Sequence, residues 1–179
     1  MKRRPQVLKK LILIQVLLSF LLFFITAAGQ AQIRTLTVSV DGLSCSFCAY
    51  GLEKKLKKME GVEAIKIGLQ EGMVTLSVKK GRSINISRVR VAIKDAGFTP
   101  RKMKITATGI IKINEQQQFL LQLSGQEQEF LIVDLKKAAT ERLLSLAKSG
   151  ATLEVEGVIH EKPDGLWTLS PESVKEVTE

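Results

Sequence analysis

The sequence is poor in several residue types, and each shortage excludes a class of protein. Two cysteines and one histidine among 179 residues cannot build a multi-disulfide scaffold or a histidine-rich metal site. Aromatic residues make up 5% of the chain, and it has no low-complexity stretch or internal repeat. With 45% hydrophobic and 25% charged residues it can still form a core, and its length allows one medium-sized domain or two small ones.

Acidic residues are absent before Asp41, whereas five basic residues lie within the first ten. Beyond residue 31 the chain has 22 basic against 18 acidic side chains, a net of +4 compared with +9 for the whole. This modest bias gives little reason to expect a nucleic-acid partner. Three large aromatic residues of the C-terminal part are therefore interpreted as core rather than as a stacking surface for bases: Phe119, Phe130 and Trp167.

The first 31 residues have the layout of a secretory signal peptide. A basic stretch is followed by an apolar run from Leu11 to Ala28 and then by small residues, which predicts cleavage before Gln32, with a second possible site directly after Ala28. The alternative is an uncleaved membrane anchor, because a run of 18 residues just spans a bilayer. In both cases we expect export to a bacterial periplasm or cell surface, with membrane contact only through an uncleaved leader.

Hydrophobic periodicity predicts an α+β first domain over residues 32–103. Leu36, Val38 and Val40 alternate with polar residues, as in a half-buried strand, and a helix with apolar residues at helical spacing follows. Two strands joined by a hairpin turn, a second helix and a strand after Pro100 complete the order βαββαβ. That order is typical of a ferredoxin-like sandwich with two helices on one face of its sheet.

Residues 104–179 have a different pattern of three strands, a helix and two more strands, with Gly109 and Gly157 inside strands. This order is typical of a small five-stranded barrel and resembles the OB-fold. We therefore predict an OB-like β-barrel as a second domain, joined to the first with almost no linker. Its expected role is docking to a membrane transporter, another envelope protein or a second copy of the chain.

The main chemical motif is Cys45-Ser46-Phe47-Cys48, at the predicted start of the first helix. Thiolates are the ligands that soft metal ions prefer, and a helix N-terminus favours the thiolate form. Two sulfurs suit a two-coordinate soft ion, whereas zinc would need further ligands. By itself, however, a CxxC pair fits a metal site, a redox couple or a structural disulfide equally well.

Residues 36–101 resemble the heavy-metal-associated domain family, which includes copper chaperones and the periplasmic mercury-binding protein. The family motif, Gly-Met-Thr/Asp-Cys-x-x-Cys at the end of the first strand, is matched by GLSCSFC at residues 42–48. The sequences MEGV at 59–62 and AGF at 96–98 match further family landmarks. The resemblance covers about two-fifths of the chain, and the βαββαβ order agrees with it.

The resemblance implies a binding function without chemistry on a substrate. Cys45 and Cys48 would bind a soft ion, Cu(I) or Hg(II) rather than Zn(II), and would pass it on by thiolate exchange. The implied partner is a membrane metal transporter or another envelope protein. Lys54, Lys55, Lys57 and Lys58 follow the motif on the same helix and either face an acidic partner or form an ordinary solvated surface.

Three positions near the cysteines depart from or vary within the family pattern. Leu43 replaces the usual Met, which in the family is a buried support for the loop rather than a ligand. Ser44 stands where zinc- and cadmium-selective members often carry Asp, which favours Cu(I) or Hg(II). Phe98 lies in a loop near the metal and is expected either to shield the site or to pack in the core.

Two alternatives from other functional classes stay open. The first is an exported thiol–disulfide redox protein, although the Trp-Cys-Gly-x-Cys motif of thioredoxin-like enzymes is absent. The second makes the barrel the working part, binding an oligosaccharide or peptide, with the first domain as a metal or redox sensor. His160 is interpreted as an ordinary strand residue rather than as a third ligand.

Overall fold

A computed structural model describes residues 32–123 and 128–177, so the predicted leader at residues 1–31 lies outside the described residues. The described elements are, in order, β1 (Ile33–Asp41), α1 (Ser46–Lys57), β2 (Val62–Gly68), β3 (Met73–Val78), α2 (Ile86–Asp95), β4 (Thr99–Ile113), β5 (Phe119–Gln122), β6 (Glu129–Ile132), α3 (Lys137–Ser149), β7 (Thr152–Glu161) and β8 (Trp167–Glu176). None of the described helices combines the length and the apolar character needed to cross a lipid bilayer.

The N-terminal half has the predicted ferredoxin-like arrangement. Its strands lie in the order β2-β3-β1-β4, and each neighbouring pair is antiparallel. Leu36 and Val38 of β1 are fully buried, as the alternation of polar and apolar residues predicts. The apolar faces of α1 and α2, with Leu52 and Ile93 among their buried residues, join the same hydrophobic core.

One long strand, β4, belongs to both halves of the chain. The sequence pattern predicts a strand after Pro100 and another from residue 105, but the structure has one strand of 15 residues. Residues 103–107 pair with β1 on one edge and with β7 on the other, and β5 replaces β1 as the neighbour from Ile110 onwards. The predicted boundary between residues 103 and 104 thus falls inside a strand, and the division into two domains stays a prediction.

Five strands of the C-terminal half close into a barrel. Around it the order is β4-β5-β6-β8-β7, and β7 pairs with β4 again. All these pairs are antiparallel except β6 with β8, where Phe130 lies opposite Trp167. These two aromatic side chains and Phe119 are at most 7% exposed, which confirms their interpretation as core residues and leaves no aromatic stacking surface among them.

Side-chain contacts link the two halves in addition to the shared strand. Glu161, at the end of β7, accepts a hydrogen bond from Ser87 Oγ at 3.0 Å and forms an ion pair with Arg90, both on α2. Arg34 of β1 forms an ion pair with Glu154 of β7. Two elements of the first half, α2 and β1, therefore contact β7 of the barrel in addition to the shared strand β4.

Gly109 lies where β5 replaces β1 beside β4. A Cβ atom at this position would stand 2.5 Å from the backbone oxygen of Gln122 and 3.0 Å from a methyl carbon of Leu121. Such distances are shorter than carbon–oxygen and carbon–carbon contacts allow, so a larger residue would push β5 away from β4. Close approach of backbones is one of the reasons for glycine inside a strand.

We expect Gly109→Ala to lower the free energy of unfolding by about 1–3 kcal/mol, the usual cost of overpacking. Gly51 is the matched control, since it lies in α1 with nothing within 4 Å of a built Cβ. Gly51→Ala should raise stability by about 0.5–1 kcal/mol, because alanine loses less backbone entropy in a helix. Urea denaturation measures both, and equal effects of the two substitutions would contradict this account of β4.

Candidate metal site

The cysteines follow a short loop that leaves β1 and turns into α1. Gly42 has φ of 84°, which favours glycine, and its carbonyl oxygen accepts a hydrogen bond from the Ser44 amide at 2.9 Å. Asp41 anchors the start of the loop, because its Oδ2 lies 2.6 Å from Arg101 Nε on β4. Leu43, only 3% exposed, inserts into the hydrophobic core and holds the loop from below.

Cys45 is the N-cap of α1, and Cys48 lies in its first turn. The Cys48 amide donates a hydrogen bond to Cys45 Sγ at 3.4 Å, and the Ala49 amide donates to the Cys45 carbonyl at 2.9 Å. The cap therefore directs the Cys45 sulfur towards the N-terminal end of α1, where Cys48 also lies. Both thiols are free and exposed to solvent.

The two thiols affect each other's protonation. The pKa of Cys45 is lowered because the side chain and the amide of Cys48 both hydrogen-bond to its sulfur. The pKa of Cys48 is raised, chiefly because its own thiol is engaged in the hydrogen bond with Cys45. The two thiols therefore titrate as a pair, which presents one thiolate and one thiol before it presents two thiolates.

Among the described residues, no His, Asp or Glu side chain joins the two cysteines as a third metal ligand. No group of three or more His, Cys, Asp or Glu side chains that could hold a metal occurs in residues 32–123 and 128–177. His160 lies exposed on β7 and belongs to no such group. The site can therefore supply two sulfur ligands from one turn of helix.

The three predicted supporting residues have different environments. Leu43 is buried, as a supporting role requires, whereas Ser44 is exposed. Phe98 is half-buried and packs against the hydrophobic core. Phe98 also lies beside the loop between β1 and α1, since a Cβ atom built on Gly42 would be 3.8 Å from one of its ring carbons. The structure thus gives Phe98 a packing contact and a place beside the loop, and its role in metal binding stays a prediction.

Two exposed aromatic residues that the sequence pattern did not single out lie beside the cysteines. Phe47 is 84% exposed and Tyr50 is 63% exposed, unusual values for such large side chains. Phe47, Tyr50, Lys54 and Lys58 follow one another at intervals of three, four and four residues. This spacing places all four side chains on one side of a helix. We name this set the α1 stripe (Phe47, Tyr50, Lys54 and Lys58); its helical spacing was the signal that could have identified it.

The four lysines predicted as one basic face divide into two pairs. Lys55 Nζ lies 3.5 Å from Asp95 on α2, and Lys57 Nζ lies 3.6 Å from Glu53 one turn earlier. Lys54 and Lys58 form no ion pair within the described residues. Of these four lysines, the two without an ion pair both belong to the α1 stripe.

Comparison with known proteins finds similarity in this first half. The heavy-metal-associated domain family matches residues 37–99. The mercuric transport protein periplasmic component of Shigella flexneri is 31% identical over 70 residues, 38% of this chain and 74% of that protein. The copper chaperone CopZ of Bacillus subtilis is 29% identical over 66 residues, 37% of this chain and 94% of that protein.

A longer protein and a solved structure are also similar to the first half of this chain. The human copper-transporting ATPase 2 is 30% identical over 69 residues, but the chain spans only 5% of its length. The solved structure of oxidized MerP from Ralstonia metallidurans CH34 is 25% identical and matches 38% of this chain and 94% of its own, with a TM-score of 0.35.

Proposed function

We propose, from the premise that this chain belongs to the heavy-metal-associated domain family, that it binds one soft metal ion through Cys45 and Cys48 and delivers it to another protein. The observation that carries the proposal is the pair of exposed thiols on one turn of helix, with the Cys45 sulfur fixed by the Cys48 amide. The ion is cargo, and the chain performs no chemistry on a substrate.

The proposed cargo is Cu(I) or Hg(II). Both ions favour thiolates, and two sulfurs can satisfy them without further ligands. Structural zinc sites have four ligands, and the described residues bring no third candidate to the cysteines. Relatives named for copper and for mercury support the same choice.

Delivery would proceed by exchange of thiolates at the metal. A thiolate of the acceptor binds the ion, one cysteine sulfur of this chain leaves, and the second follows when another acceptor thiolate binds. The acceptor thiols release two protons as they become ligands, and the two departing sulfurs take up two protons. No oxidant or reductant is needed, and the exposed site lets an acceptor reach the ion from solvent.

X-ray absorption by the Cu(I)-loaded chain tests the proposed coordination. We expect two sulfur neighbours and no nitrogen or oxygen ligand at bonding distance. A spectrum that requires three or four ligands from one molecule would contradict the two-thiolate site. Loading at one ion per chain, checked by mass spectrometry, distinguishes this result from bridging between two molecules.

The proposed partner is a membrane metal transporter or another envelope protein that docks on the α1 stripe. Exposed aromatic residues are common anchors in interfaces, and unmatched lysines favour an acidic surface on the other side. The stripe begins beside Cys48, so a partner bound to it would lie next to the ion. Copper-transporting ATPases among the relatives support a transporter as the acceptor.

The double substitution Lys54→Glu and Lys58→Glu should slow delivery of Cu(I) to an acidic acceptor by about tenfold at low salt, because steering charges change association rates most. The metal affinity should stay unchanged. Lys94→Glu with Lys148→Glu, on α2 and α3, has the same charge change and should have little effect. Equal slowing by both pairs, measured by stopped-flow transfer, would contradict docking on the stripe.

The proposal also includes export and an OB-like barrel. The basic, apolar and small-residue segments of residues 1–31 support an exported chain, periplasmic or on the cell surface. One relative is named as a periplasmic component.

We propose that the barrel is OB-like. If β4 is counted as its first strand, the closed strand order is 1-2-3-5-4-1. One pair of strands is parallel, and a helix follows the third strand, which supports the OB-like assignment.

A thiol–disulfide redox role is the second candidate, favoured by the lowered pKa of Cys45 beside a second exposed thiol. A Cys45 thiolate would attack a disulfide of another molecule, and Cys48 would then release that molecule as a dithiol while this chain forms its own disulfide. Reduction of glutathione disulfide by the metal-free chain measures this activity. Exchange no faster than with free cysteine would exclude it.

A further inference from the structure

A cleft lies in the barrel half, between α3 and β8. Its volume is about 390 Å³, within the range of small-molecule sites. Its apolar walls are formed by Leu135, Leu143, Pro171 and Val174. Arg142 and Glu172 are the charged residues that line it. We name it the α3–β8 cleft.

The walls of the α3–β8 cleft are fixed by the fold. Leu143 is buried beneath it, and Pro171 lies opposite Gly157 at an irregularity in the β7–β8 pairing. Asp134, in the turn before α3, has φ of 58°, a conformation that non-glycine residues seldom adopt. Its carboxylate accepts a hydrogen bond from Ser170 of β8 and so ties the start of α3 to the strand. These contacts hold α3 and β8 together at the two sides of the cleft.

The charge available to a ligand in the α3–β8 cleft is positive. Glu172 is already matched by two lysines of β4, with Lys104 Nζ at 2.5 Å and Lys102 Nζ at 3.8 Å. Arg142 is exposed and forms no ion pair with the residues that the structure describes. A guanidinium at the edge of an apolar cleft can bind a carboxylate by donating two parallel hydrogen bonds to its oxygens.

We propose that the α3–β8 cleft binds an amphipathic carboxylate, whose apolar body lies between α3 and β8 and whose carboxylate pairs with Arg142. A short free acid and the C-terminal carboxylate of a peptide with apolar last residues share this chemistry. The site uses neither cysteine, so it goes beyond the metal-binding function and assigns the barrel half a ligand of its own.

Calorimetric titration of the purified full-length protein with hexanoate, N-acetyl-Leu-Leu and the amide of the same dipeptide tests the proposal. We expect saturable one-to-one binding of at least one of the two acids and much weaker binding of the amide. A stronger response to hexanoate identifies a free acid as the ligand class, and a stronger response to the dipeptide identifies a peptide terminus.

Arg142→Gln should weaken binding of the preferred acid about tenfold or more, the usual effect of losing a hydrogen bond to a charged group. Arg142→Lys should retain part of the affinity. Lys148→Gln, an exposed position on the same helix that does not line the cleft, should change nothing. Unchanged Trp167 fluorescence of Arg142→Gln shows that the barrel of the variant is folded, and unchanged Cu(I) binding shows that the test is independent of the metal site.

Three outcomes would overturn the proposal. They are the absence of saturable binding of both acids at millimolar concentration, equal weakening by Arg142→Gln and Lys148→Gln, and equal weakening of acid and amide binding by Arg142→Gln. The last result would show that the cleft does not distinguish a carboxylate from an amide. Each outcome is read from the same set of titrations.

Discussion

Replacing either Cys45 or Cys48 by serine is expected to weaken Cu(I) binding by about a hundredfold or more. Metal binding by four-ligand zinc sites is worth about 10–16 kcal/mol, so one ligand contributes roughly 2.5–4 kcal/mol. A serine hydroxyl is a hard ligand that stays protonated and does not replace a thiolate on a soft ion. The double variant should bind no Cu(I) in competition with a chelator of moderate strength.

The measurement is anaerobic competition with a coloured Cu(I) chelator, with all thiols reduced. Ser46→Ala is the matched control, since Ser46 lies between the cysteines, is exposed and makes no side-chain hydrogen bond in the described structure. It should bind Cu(I) as the natural chain does. Retention of full affinity by Cys48→Ser would show that the second thiol is not a ligand and would contradict the two-sulfur site.

Phe130→Ala is expected to lower the free energy of unfolding by about 3–5 kcal/mol. Phe130 is fully buried in the barrel, and its removal leaves a cavity that the surrounding strands cannot close. Because β4 and the α2–β7 contacts join the barrel to the first half, we also expect the whole chain to unfold in one transition at the lower midpoint.

Two probes of the same denaturation measure this second effect. Trp167 fluorescence reports on the barrel, and far-ultraviolet circular dichroism reports on all helices and strands. The two curves should coincide in the natural chain and in Phe130→Ala. Phe47→Ala is the control, because its exposed ring should contribute less than about 0.5 kcal/mol. A second transition left at the original midpoint would show that the halves fold independently.

Much of the fold could be predicted because its signals are local. The alternation in β1 and the helical spacing of Ala49, Leu52 and Leu56 place these elements, and the same residues are buried in the structure. The continuity of strand β4 was missed because the change of sequence pattern between residues 103 and 104 was interpreted as a boundary between two domains, whereas the strand runs through it and exchanges β1 for β5 as its neighbour. In the structure Pro100 lies near the start of the strand, and Gly109 allows the close approach of β5.

At the candidate metal site, too, the features set by local sequence could be predicted, and those set by tertiary packing could not. The position of Cys45 and Cys48 at a helix start follows from the motif and the preceding strand. Exposure of Phe47 cannot be derived from the motif, because whether another element covers the ring depends on tertiary packing. The α3–β8 cleft joins Leu135 to Val174, residues far apart in the chain, and the register of distant strands decides whether such residues meet.

The most direct test of the central claim is an anaerobic titration of the reduced chain with Cu(I), Hg(II) and Zn(II), each in competition with a chelator. We predict one ion per chain for Cu(I) and Hg(II), and binding of both that is far tighter than binding of Zn(II). The Cys45→Ser/Cys48→Ser double variant should lose the tight binding. Absence of tight binding of either soft ion, or equal affinity of the double variant, would contradict the proposed function.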